Sequence, residues 1–152
     1  MSVKSQQANM KRLAQLLSKS LGYIYGERES GPNGAKAEFH AKGRAFLRVL
    51  AKDLKLREYK VHSNYAGIAV SGEVYLYGMW SDGNGLMLCL EQPCIGSEVV
   101  LYRRIQNMND HSGRMNQNHF ISLSALRSED YHMVVSRLLR LKQEEAGYAR
   151  TA

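Results

Sequence analysis

No run of apolar residues in this sequence approaches the roughly 18 to 20 that a membrane-spanning helix needs. Residues 2–9 are polar, without the charged segment and apolar stretch of a secretory leader, so neither membrane insertion nor leader-directed secretion is expected. Cysteine occurs twice, too seldom for a disulfide framework. Cys89 and Cys94 also lack the Cys-x-x-Cys spacing of a zinc site, so no metal and no cofactor is expected. Cys89 sits in the apolar run from Leu86 to Leu90 and reads as a small buried hydrophobe. Gly83-Asn84-Gly85 is not framed by the strand, glycine loop and helix of a nucleotide-binding fingerprint, and reads as a hairpin turn. Internal repeats and low-complexity tracts are absent.

Acidic residues are scarce in one part of the chain only. Residues 1–60 hold thirteen Lys and Arg against five Asp and Glu, a net +8, whereas residues 61–152 hold eight against nine, a net −1. A segregated basic surface attracts polyanions, so nucleic acid, an anionic surface or an acidic protein is the expected partner class. With 152 residues, 44% of them hydrophobic, the chain suits one core, and a single domain over 1–152 is expected. It divides into a basic helical part, 1–58, and a sheet with a C-terminal helix, 59–147.

Met10, Leu13, Ala14, Leu17 and Leu21 recur at helical spacing and predict a helix over about 5–20, stopped at Gly22. Residues 22–34 are rich in glycine and read as a loop. Phe39, Gly43, Phe46, Leu47, Leu50 and Leu54 predict a second helix over about 35–56. Lys36, His40, Arg44, Arg48, Lys52 and Lys55 accompany it as a basic stripe, expected to line a second face. After Tyr59 the period becomes alternating. Ile68, Val70, Gly72, Val74 and Leu76 mark a long strand, Ser81 to Gly85 a turn, Leu86 to Glu91 the returning strand, and Glu98 to Ile105 another. A last helix is expected from an N-cap at Ser128, with Tyr131, Val134, Val135, Leu138 and Leu141 buried and Gly147 closing it. The predicted fold is α+β: an antiparallel meander of three to four strands packed with two N-terminal helices and one C-terminal helix.

Two features offer chemistry. Arg44, Arg48, Lys52 and Lys55, aided by Lys11 and Arg12, form a candidate nucleic-acid surface; the structural alternative is a solvated helix face whose long stems cover the core margin. The stretch 103–119 carries Arg103, Arg104, Asn109, Arg114 and Asn116, suited to an anion or a partner, and His111, His119 and Asp110 as catalytic candidates. Asparagine-rich turns need no such role, since Asn bonds its own backbone. Neither triad spacing nor paired carboxylates accompany these histidines, which leans against an enzyme. Trp80, Tyr75 and Tyr77 read either as a stacking platform or as ordinary sheet packing.

The run Arg44 to Leu54, the segment Asn64 to Gly85, and Leu101-Tyr102-Arg103-Arg104 leading to Asp110-His111-Ser112-Gly113 resemble small uncharacterised accessory proteins of bacterial plasmids and integrative elements. The similarity covers about two thirds of the chain. It implies a bacterial cytoplasmic setting in which such proteins handle DNA or disarm host defence, and no catalytic residues. The leading expectation is a non-catalytic nucleic-acid-associated protein of low sequence specificity. A protein-binding inhibitor of a host defence nucleoprotein complex, of anti-CRISPR type, is the alternative; a small phosphoester hydrolase is the third.

Overall fold

Met10, Leu13, Ala14 and Leu17 form one buried face of helix α1 (Val3–Leu17), as their spacing requires. The computed structural model describes residues 3–18, 34–66, 71–92, 96–110 and 116–144. Ser20, Leu21, Gly22 and the glycine-rich segment after them lie outside the described residues, apart from Gly34. Gln6 is buried beside the apolar stripe, because its side-chain amide donates to the Phe46 carbonyl at 3.1 Å.

Helix α2 (Ala35–Asp53) buries Phe39, Gly43, Phe46, Leu47 and Leu50. It ends earlier than the apolar spacing implies. Lys55 takes the left-handed conformation, φ 59°, and the Leu56 N–H reaches back to the Ala51 carbonyl at 3.1 Å, closing the helix. The Trp80 indole N–H donates to the Leu54 carbonyl at 2.7 Å, satisfying an acceptor that the helix end leaves without an intrahelical partner.

Five antiparallel strands follow in chain order: β1 (Glu58–Asn64), β2 (Glu73–Met79), β3 (Gly85–Leu90), β4 (Glu98–Ile105) and β5 (His119–Ser122). The meander was expected; its fifth strand was not. β5 has only four residues, too few for alternation to show, and Phe120 within it points away from the helices. The long strand read from Ile68 to Tyr77 is interrupted, since Gly72 has φ 68° and pairing starts at Glu73; residues 67–70 lie outside the described set. The β2–β3 hairpin forms where its turn residues stand, with Gly83 at φ 89° and the Trp80 N–H on the Asn84 carbonyl at 2.8 Å.

Val74, Leu76, Leu86, Leu88, Leu90, Val100, Tyr102 and Ile121 face the helices and share one core with them. The outer sheet face holds a smaller cluster of Tyr77, Met79, Met87, Cys89 and Ile105, flanked by Met108. Cys89 is the small buried hydrophobe expected. The C-terminal helix of the sequence reading is two helices. Helix α3 (Leu123–Ser128) precedes α4 (Tyr131–Leu139), and a 3₁₀ turn (Arg140–Gln143) follows; Gly147 lies outside the described residues. Ser128 is therefore no N-cap but the last residue of α3, where its hydroxyl donates to the Ser124 carbonyl at 2.8 Å.

Candidate nucleic-acid interface

The basic stripe of α2 winds out of the protein rather than lining one face. Each four-residue step carries a side chain about 40° further round the helix. A stripe that starts at the core margin therefore ends in solvent. Lys36 and His40 are buried, Arg44 is half-buried, and Arg48, Lys52 and Lys55 are exposed.

The inner end of the stripe packs against β1 through a directed chain of hydrogen bonds. His40 Nε2 lies 2.7 Å from the Ser71 carbonyl, which only accepts, so Nε2 carries the proton. Nδ1, 2.9 Å from the Ser63 hydroxyl, then accepts from it, and that oxygen accepts in turn from Arg44 Nη1 at 2.7 Å. Arg44 Nη1 also donates to the Tyr65 hydroxyl at 2.6 Å, and the Tyr65 ring packs on His40 with centroids 4.2 Å apart. Burial lowers the pKa of His40, and the nearby Lys36 and Arg44 charges act in the same direction, so the imidazole is held neutral. Burial likewise lowers the Lys36 ammonium. Half of the stripe thus positions α2 on the sheet, and its outer half is left to solvent.

The two helpers from α1 do not join it. Arg12 forms two 2.7 Å bonds to the Glu38 carboxylate, which neutralises it. Lys11 lies in a groove with Val3, Lys4, Gln7 and His132, a different surface from the stripe.

The stretch 103–119 is divided rather than assembled. Strand alternation sends Arg103 to the outer sheet face, where it is buried opposite Met87, and Arg104 to the helix side, where Nη1 donates to the Glu144 carbonyl at 2.7 Å. Asn107 and Asp110 close turns by accepting the backbone N–H groups of Asn109 at 2.9 Å and Gln106 at 3.3 Å. Asn109 is exposed and Asn116 buried; His111 and Arg114 lie outside the described residues. His119 pairs with Glu144, its Nε2 3.1 Å from each carboxylate oxygen, and stacks on Tyr102 with centroids 5.1 Å apart. Tyr102, Gln117, His119, Arg137, Arg140 and Glu144 line a cleft of about 340 Å³. No local spacing announced that grouping, because its members come from β4, the start of β5 and the residues before it, α4, and the 3₁₀ turn with the residue that follows it. Among the described residues no group of three His, Cys, Asp or Glu is placed to hold a metal ion.

The aromatic platform also separates. Trp80 is buried on the helix side, while Tyr75 and Tyr77 lie on the outer face and stack with His62, centroids 5.0 and 6.0 Å away. The chain matches no protein-family model, and comparison with curated proteins and with solved structures finds no match.

Proposed function

We propose that the chain is a non-catalytic, nucleic-acid-associated accessory protein of a mobile genetic element that binds phosphates through the outer end of α2. Arg48, Lys52 and Lys55 carry this assignment: they are exposed in succession and take no ion pair among the described residues. Arg44, anchored by Ser63 and Tyr65, stands at the inner end of the same row. Four cations in place of six reduce the expected salt dependence. Log affinity should fall with log salt at a slope of about −3 to −4 on duplex DNA. Contacts to phosphates carry no base identity, so sequence preference is low.

The test is fluorescence anisotropy with labelled single- and double-stranded DNA and RNA over a series of salt concentrations. The variant Arg48→Ala/Lys52→Ala/Lys55→Ala should lose binding while keeping its circular dichroism spectrum. Absence of binding at low salt, or binding unchanged in that variant, would overturn the assignment.

One observation supports the protein-binding alternative. Phe120 is 54% exposed on the outer sheet face, opposite Leu101, an apolar side chain where a partner would gain by covering it. Capture of a host nucleoprotein that survives nuclease treatment and is lost in Phe120→Ser would favour that reading.

A further inference from the structure

The cleft lined by His119 and Arg140 is independent of the α2 surface and offers its own chemistry. Its lining includes the stacked pair Tyr102 and His119 together with Gln117, Arg137 and Arg140. The carboxylates nearby are already engaged. Both oxygens of Glu144, only 12% exposed, lie against His119 Nε2, and the backbone of Glu144 is held by Arg104. Glu129 pairs with Arg137 Nη2. Arg140 is exposed and has no ion pair among the described residues. Among the described residues that line the cleft, Arg137 is held by Glu129 and Glu144 by His119, so Arg140 is the cation left to meet an anion. Burial raises the pKa of the Tyr102 hydroxyl, with the Arg137 and Arg140 charges acting against it, so this phenol stays a neutral donor.

We infer that this cleft binds a small ligand through a phosphoryl group, with Arg140 as the principal cation, Gln117 as a further polar partner, and Glu144 as the residue that holds the His119 ring in the stack on Tyr102. Guanidinium groups suit phosphate oxygens because their N–H donors are planar and forked. A volume of about 340 Å³ exceeds what a bare ion needs and lies within the range of small-molecule sites. The phosphoryl group comes either from free phosphate or from a phosphomonoester such as a mononucleotide, whose ring would meet the edge of the Tyr102 and His119 stack.

Two-dimensional amide NMR of the full chain, titrated separately with inorganic phosphate, adenosine monophosphate and acetate, tests this. Shifts should centre on Gln117, His119 and residues 140–144 with phosphate or the nucleotide, and be weak with acetate. Arg140→Ala and Arg140→Gln should each weaken the affinity by about tenfold or more, while Lys11→Ala, which removes one positive charge elsewhere, leaves it unchanged. Tighter binding of the nucleotide than of phosphate assigns the ligand as a phosphomonoester; equal binding assigns the phosphoryl group alone. Absence of shifts at these residues, equal response to acetate, or binding retained in both Arg140 variants overturns the inference. The nucleic-acid assignment is read separately, since the α2 triple variant leaves this cleft intact.

Discussion

The side-chain amide of Gln7 grips the start of helix α4: its oxygen accepts the Tyr131 N–H at 2.6 Å and its nitrogen donates to the Glu129 carbonyl at 3.1 Å. Asp130, the N-cap by position, makes no side-chain capping bond. A residue more than a hundred positions away does that work. Gln7→Ala should cost about 1 to 2 kcal/mol in urea unfolding, the size of a lost cap. Ser128→Ala, at the serine that sequence spacing marks as the cap, should stay within about 0.5 kcal/mol, because that hydroxyl is exposed. The reverse order of the two would refute the capping role.

Arg44 and Arg48 are one helical turn apart in the same stripe, yet they should fail differently. Arg44→Ala leaves the Ser63 and Tyr65 hydroxyls without their donor and should destabilise by about 1 to 3 kcal/mol. Arg48→Ala touches no described partner and should change stability by less than about 0.5 kcal/mol while weakening nucleic-acid binding. Thermal unfolding beside anisotropy separates the two effects.

His40 makes stability depend on pH in a definite direction. Its folded pKa is lowered by burial, so the unfolded chain binds a proton more readily. This contribution is complete above the unfolded value of about 6.5 and is lost as pH falls from there through the folded pKa. Melting temperatures of the native chain and His40→Gln, measured from pH 8 to 5, should differ most at pH 8 and converge toward pH 5. Parallel curves would show that His40 does not titrate across that range.

Gly85 admits no side chain. A Cβ there would stand 2.8 Å from Ile105 Cγ1 and 2.9 Å from the Ile105 carbonyl, and that backbone cannot yield cheaply because it belongs to the paired strand β4. Gly85→Ala should destabilise by about 1 to 3 kcal/mol in chemical denaturation. A neutral effect would mean that the outer sheet face is looser than the structure has it.

Cys89 should be chemically silent while the protein is folded. Burial raises its thiol pKa well above the ordinary value, with Glu91 and Glu73 adding to the shift, so little thiolate is present to react. In a Cys94→Ser background, iodoacetamide labelling should be slow in buffer and fast in denaturant. Rapid labelling of the native form would contradict the burial.

The parts of this protein that its sequence determined are those set by neighbours in the chain. The buried face of α2, the turn at Ser81 to Gly85 and the span Glu98–Ile105 follow from periodicity and turn chemistry that a short window contains. The confinement of positive charge to residues 1–60 is likewise a property of the sequence. What tertiary structure decided is where each element meets another. Recurrence at four-residue steps marks Lys36, His40, Arg44, Arg48 and Lys52 as one winding row, but only the docking of α2 on the sheet fixes where along it the buried anchors give way to exposed cations. Trp80 parts from Tyr75 and Tyr77 because strand alternation puts it on the side where the helices pack. β5, the Gln7 cap and the cleft at His119 and Glu144 each join distant segments. Hydrogen bonds and burial at those joints depend on packing in three dimensions, and no local pattern encodes which distant residue will supply the partner.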